Sequence, residues 1–347
     1  MKKTLAATAV ATTALALALT GCATQGSSGS HESGGSSDSV DIMVGGMSKI
    51  IYLPAELTEK LGYFKEQGLK VNLIDTPAGV TAETALVANK AQGVVGFYDH
   101  TIDMQTKDKC LESVVQFANV PGEAEMVAKK AAPGLASTAD LAGKKLGVTS
   151  PGSSTDFLTQ ALTAKAGIST DGYTTVKAGA DQTFIAAMNS GGIDAGMTTD
   201  PTITMLTTSG DGSVLLDMRT EQGTRDALGG LYPASSLYMS CDWVAAHKDT
   251  VQKLANAFVK TLGYIGSHSA KEIADQMPAD YKGSDEALYV KSLDASKGIF
   301  TKDGVMDESG AKNALAVLGA SSPNVKPVKD TVDLSKTYTT EFVKNAG

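Results

Sequence analysis

A five-element pattern occurs twice in this chain, and it limits the possible folds more than any other feature of the sequence. Residues 40–45 read as a strand, followed by a helix with Leu53, Leu57, Leu61 and Phe64 on one face, which Gly62 and Gly68 bring to an end. Residues 69–74 alternate as a second strand, residues 81–91 form a second helix, and residues 94–98 are a short apolar strand. The order returns as a strand at 146–149, a helix at 155–166 carrying Phe157, Leu158, Ala161 and Leu162, a strand at 174–176, a helix at 182–189 and a strand at 193–197. Strands alternating with helices are joined by right-handed crossovers into mostly parallel sheets. The two runs also align residue by residue. Ser48, Tyr52, Leu53, Leu57, Lys60 and Gly62 correspond to Ser153, Phe157, Leu158, Leu162, Lys165 and Gly167, while Leu86, Gly93 and Val94 correspond to Ile185, Gly192 and Ile193. Any two βα units share some of this spacing, yet either reading places two similar α/β lobes side by side.

Beyond the second unit, residues 237–244 read as a strand returning to the first lobe. A long amphipathic helix follows, with Val251, Leu254, Ala255, Phe258, Leu262 and Ile265 on one face. Two or three further helices are expected up to about residue 318, then a loop-like stretch at 325–334 and a short Lys-rich helix. Hinge strands are expected near 120–130 and 232–236, so lobe one comprises residues 40–125 and 236–347 and lobe two residues 126–235.

The start of the chain indicates its compartment. Lys2 and Lys3 form a positive n-region, and residues 4–19 are a small Ala/Leu stretch, the layout of a secretory signal rather than a spanning helix. The run Leu19-Thr20-Gly21-Cys22 resembles the bacterial lipobox, whose cysteine is acylated and becomes the first residue of the mature protein. An ordinary signal peptide with an incidental cysteine is the alternative. Residues 25–39 are almost entirely Gly, Ser and charge, with nothing able to enter a core. Residues 1–21 are therefore read as a lipoprotein signal and 22–39 as a flexible tether, with Cys22 as the lipid attachment.

A formal net charge of −8 and a pI near 5.1 argue against nucleic acid, which wants a basic face. The only arginines are Arg219 and Arg225, so bidentate clamps for carboxylate or phosphate are scarce. With Cys22 acylated, Cys110 and Cys241 remain, either as a disulfide or as two buried thiols.

Signatures of catalysis and metal binding are missing from the sequence. The four histidines, His31, His100, His247 and His268, form no H-E-x-x-H motif; there is no C-x-x-C pair, nucleophile elbow, phosphate-binding loop or calcium loop. Neither a cofactor nor a metal is expected. Polar clusters instead follow the predicted strands, where open α/β sheets bind ligands. They are Gly46-Met47-Ser48-Lys49, Tyr98-Asp99-His100-Thr101, the run from Ser150 to Asp156, and Thr198-Thr199-Asp200-Pro201. Ser153, Ser154 and Thr155 are a standard helix cap as well as a set of donors for an anion or carbonyl oxygen. Asp200 before Pro201 is a helix start as well as a ligand candidate. The expected ligand contacts are Ser48, Lys49, Tyr52, Asp99, His100, Thr101, Ser153, Ser154, Thr155, Asp200 and Tyr232, with Lys49 as counter-charge.

The run from Ile51-Tyr52-Leu53-Pro54 through Leu61-Gly62-Tyr63-Phe64-Lys65-Glu66-Gln67-Gly68-Leu69-Lys70-Val71 resembles the opening of the nitrate, sulfonate and taurine group of ABC-transporter solute-binding proteins, a group that also contains binders of thiamine pyrimidine precursors. Asp140-Leu141-Ala142-Gly143-Lys144-Lys145-Leu146-Gly147-Val148 resembles the start of their second lobe, and Gly192-Ile193-Asp194-Ala195 a strand entry. One position departs: Val95 stands where the group usually carries Asp, which puts any carry-over of its ligands in doubt.

The resemblance implies a periplasmic-binding-protein type II fold, two α/β lobes joined by hinge strands. Together with the lipobox-like start, the expectation is an extracytoplasmic, lipid-anchored monomer that captures a sulfonate-, nitrate- or pyrimidine-like solute and passes it to a permease and its ATPase. The alternative is an extracellular enzyme of pyrimidine-precursor-synthase type on the same scaffold, for which His100 is the one cleft histidine.

Overall fold

The structure, a computed structural model, describes residues 39–283 and 285–346. The expected signal, Cys22 and nearly all of the tether lie outside the described residues; Ser39, placed at the tether's end, already belongs to a strand.

The first half of lobe one runs β1 (Ser39–Val44), α1 (Leu53–Lys60), α2 (Tyr63–Glu66), β2 (Lys70–Asp75), α3 (Gly79–Val87), β3 (Gly93–Phe97), α4 (Asp99–Gln105) and β4 (Leu111–Gln116). The helix expected from Leu53 to Phe64 is two helices, because Gly62 takes a left-handed φ of 74° between them. The chain then crosses to β5 (Glu123–Ala128), β6 (Lys145–Val148), α5 (Ser154–Lys165), β7 (Thr174–Lys177), α6 (Asp181–Ser190), β8 (Ala195–Thr199), α7 (Thr202–Ser209), β9 (Gly212–Asp217) and α8 (Glu221–Leu228). It returns with β10 (Ser235–Ser240), α9 (Cys241–Ala246) and α10 (Lys248–Ser267). It continues with α11 (Ala270–Gln276), α12 (Ala279–Lys282), α13 (Glu286–Ser296), α14 (Glu308–Ser321) and α15 (Glu341–Lys344). The strand expected at 237–244 thus stops at Ser240, where the Ser240 hydroxyl accepts from Trp243 N and starts α9.

The sheets share one topology. The first is ordered β2-β1-β3-β10-β4 and the second β7-β6-β8-β5-β9. In each, three parallel strands come from the repeated unit, and the antiparallel strand that first follows a crossing between the lobes enters beside the third. β5 therefore lies inside the second sheet between β8 and β9, where hinge strand had been expected, and every residue of it is buried. The connection itself is the short stretch 117–122.

Apolar packing is continuous across the two halves. Phe157, Leu158 and Leu162 of α5 join one core with Tyr52 and Phe97, and with Ala311, Ala314 and Leu318 of α14. α10 buries Val251, Leu254, Ala255, Phe258, Leu262 and Ile265, the face expected from its periodicity. Cys110 and Cys241 form a disulfide, which settles the alternative left open by the sequence. It joins the start of β4 to the residue after β10. Among the described residues no helix is long and apolar enough to cross a membrane.

Candidate functional site

Antiparallel entry has a chemical consequence. The N-terminal ends of β5 and β10 lie at the sheet edge where β8 and β3 end, so Glu123 pairs with Thr199 and Ser235 with Phe97. The polar strand ends of both sheets, joined by these two starts, meet between the lobes.

Asp99 is at the centre. It opens α4, is fully buried, and accepts a hydrogen bond from Ser154 Oγ of the opposite sheet's helix at 2.8 Å and from Tyr232 Oη at 2.9 Å. Burial pushes the Asp99 carboxyl up, while His100 and the two hydroxyl donors hold it down in part. His100 is also fully buried, with Nδ1 2.6 Å from Glu83 Oε2 on α3. Burial alone would lower its pKa, but Glu83, Asp99 and Asp103 outweigh that and raise it. A Cβ added at Gly79 would stand 2.9 Å from His100 Nε2, so a glycine is required where α3 approaches the ring.

Lys49 is buried and donates to Gly45 O at 2.8 Å. Burial lowers its pKa, opposed by Glu123, Asp181 and Asp75. Glu123 moves the other way: burial, with Asp99 and Glu125, holds its carboxyl well above the usual range despite Lys49. Tyr52 is buried beside both carboxyls, and burial pushes its hydroxyl up. Ser153 occupies the N-cap position of α5 but makes no capping bond; its buried hydroxyl has no partner. The cap reading therefore leaves Ser153 unexplained.

The remaining expected residues are committed elsewhere. Ser48 is exposed and donates to Asp181 Oδ2 at 2.5 Å, across the two lobes. Thr101 donates to Tyr98 O at 2.8 Å, and Thr155 Oγ1 accepts from Thr149 N at 3.0 Å. Asp200, preceding a cis peptide bond to Pro201, has both carboxyl oxygens filled. Thr204 N and Oγ1 donate to Oδ1 at 3.0 and 2.6 Å; Arg219 Nη1 and Ser296 Oγ donate to Oδ2 at 2.9 and 2.6 Å. Its carbonyl also accepts from Ile50 N at 3.0 Å. Asp200 is thus a latch tying lobe two to the first and last parts of lobe one.

Sequence reasoning missed Glu83, Glu123 and Glu125. The run Glu123-Ala124-Glu125-Met126-Val127-Ala128 carried the signal, since a period of two puts both glutamates on one face of a strand. No group of three or more His, Cys, Asp or Glu among the described residues is placed to hold a metal.

Two α/β sheets of one topology, each with an antiparallel strand set beside its third parallel strand and with polar strand ends opposed between them, define the periplasmic-binding-protein type II fold. The alkanesulfonate-binding protein SsuA of Xanthomonas axonopodis pv. citri, solved with MOPS, has this fold with a TM-score of 0.69 at 18% identity, over 87% of this chain and 98% of that one. So has the periplasmic nitrate-binding protein NrtA of Synechocystis PCC 6803, with a TM-score of 0.66 at 15% identity, over 90% and 88%. A protein of Bordetella bronchiseptica RB50 is more similar, with a TM-score of 0.85 at 37% identity, over 89% and 96%. None of the curated proteins matches the sequence significantly. The chain belongs to the NMT1/THI5 like family, whose pattern matches residues 52–272.

Proposed function

We propose that this chain is the extracytoplasmic solute-binding component of an ABC importer. It captures a small organic solute between its lobes as a monomer, delivers it to a permease with its ATPase, and is held at the cell membrane through acylated Cys22. The observation that carries this reading is Asp99, a buried carboxyl gripped from both sides by Ser154 and Tyr232. A solute touching both lobes binds the closed form better than the open one and shifts the population toward it. Lys49, Tyr52, Ser153, Glu123 and His100 surround that grip and supply the polar contacts. We read the role as binding rather than catalysis because His100, which an enzyme of pyrimidine-precursor-synthase type would use, is fully buried, with Nδ1 on Glu83 and Nε2 facing Gly79.

The test combines small-angle scattering with fractionation. Protein purified gently and checked by native mass spectrometry for a retained solute should expand when that solute is dialysed away and contract on its return. Cys22→Ser should leave the chain unprocessed or free of membranes. An unchanged radius of gyration would overturn the hinged site, and wild-type fractionation of Cys22→Ser would overturn the anchor.

A further inference from the structure

Glu123 places a carboxyl oxygen, Oε2, in the interior without a hydrogen-bond partner. It opens β5 opposite Thr199 and is an electrostatic neighbour of Lys49, Tyr52, Asp99 and Tyr232, so it belongs to the same centre as the Asp99 grip. Ser153 Oγ and Ser235 Oγ, both buried, also have no partner there. A buried acceptor without a donor is costly and rare in native proteins, and a ligand N–H group satisfies it directly. Asp99 adds acceptor capacity, because Ser154 and Tyr232 each use one lone pair of an oxygen that has two.

The balance of charge points the same way. Three carboxyl groups, Glu83, Asp99 and Glu123, face two basic groups, Lys49 and His100, and a cation docking there would stabilise the ionised form of the Glu123 carboxyl that burial now holds up. Asp75, Asp103 and Asp181 add acid around those two cations. Arg219 brings no free positive charge, being held by Asp200 and Asp217. The N-terminus of α5 is the natural place for an anion, but the chain's own acids already meet it: Ser154 binds Asp99, and Asp156 accepts from Gly152 N at 2.9 Å. A second anion there would face both carboxyls.

We infer that the inter-lobe site selects an organic cation, a protonated amine or amidinium whose N–H groups donate to Glu123 and Asp99, and disfavours oxyanions such as sulfonate or nitrate. The inference rests on the inter-lobe space being the solute site. It separates this chain from its alkanesulfonate- and nitrate-binding structural neighbours.

Calorimetry and thermal unfolding with charge-matched probes test it: propylammonium against 1-propanesulfonate, benzamidine against benzoate, and sodium nitrate. Native mass spectrometry of the gently purified wild type runs beside them. The cationic member of a pair should bind at least tenfold tighter than the anionic one, and Glu123→Gln, checked for wild-type circular dichroism, should lose that preference. Where no probe binds, the charge of a retained solute decides, a cation supporting the inference and an anion overturning it. Tighter binding of an anionic probe overturns the charge preference and leaves the inter-lobe site standing. A preference unchanged in Glu123→Gln removes Glu123 from the contact. No probe bound and no retained solute would overturn the solute site itself, and the inference with it.

Discussion

Ser154 and Asp99, 55 positions apart in sequence and on opposite sheets, share a buried hydrogen bond of 2.8 Å. Through it the start of α5 is fastened to the start of α4. Tyr232 completes the arrangement from the second crossing at 2.9 Å. Ser154→Ala leaves Asp99 Oδ1 short of a donor in the interior, a loss of roughly 1–3 kcal/mol. The exposed pair between Ser48 and Asp181 is a built-in control, and Ser48→Ala should stay within about 0.5 kcal/mol. Chemical denaturation of both variants gives the comparison; equal losses would mean that the central bond adds nothing beyond a rim contact.

Asp200 is expected to matter for stability whether or not solute is present. Asp200→Asn turns one acceptor into a donor facing donors and separates Arg219 from a buried partner. Breaking a buried pair costs about 3–5 kcal/mol; Arg219 keeps Asp217 and some solvent, so about 2–4 kcal/mol is expected. Melting temperatures with and without solute should fall together. A fall seen only with solute would make Asp200 a ligand contact.

Glu125 predicts a pH dependence with a definite sign. Both its oxygens are buried without partners, and burial raises its pKa from 4.5 to about 8. The folded chain thus holds a proton that the unfolded chain releases above its own pKa. Stability contributed by this group falls as pH rises from about 4.5 to about 8, by roughly 3 kcal/mol at pH 7. Glu125→Gln should flatten that part of the profile in urea unfolding between pH 5 and 8.5, with its advantage over wild type growing with pH. Parallel profiles would contradict the assignment.

The Cys110–Cys241 bond spans a sequence separation of 131. Loops of that length restrict the unfolded chain strongly, and removing such a bond typically costs about 2–5 kcal/mol. Cys110→Ser combined with Cys241→Ser should lower stability by that amount, and reduction of the wild type should match it. An unchanged denaturation midpoint under both treatments would show that the bond does not contribute.

Much of the scaffold was legible because its signals are local. Apolar spacing marked α5 to within a residue and the buried face of α10, and the repeated unit marked three strands in each sheet. Polar runs after strands led to Asp99 and Ser154, which the structure brings into direct contact, and Tyr232, expected as a ligand contact on other grounds, joins them. What stayed hidden depends on pairing between distant segments. β5 looked like a crossing because its place between β8 and β9 is set by the second sheet, not by its own composition. Asp200 looked available because nothing near it in sequence shows that Arg219 and Ser296 converge on it. Gly62 also illustrates a partial reading: the stop was visible, but not that α2 resumes directly after the left-handed residue.

The disulfide has a mechanical consequence that its place in the sheet makes plain. β4 and β10 are antiparallel neighbours, with Gln116 opposite Ser236 at the end leading to lobe two and Leu111 opposite Ser240 at the other. Cys110 and Cys241 rivet that other end. The two strands that carry the chain out of lobe one and back cannot slide past each other, so any relative rotation of the lobes would turn on the stretches 117–122 and 229–234, on either side of which lie β4, β5, α8 and β10. Two short segments would serve as the axle, and the riveted pair of β4 and β10 would turn as one piece, without shear between its strands.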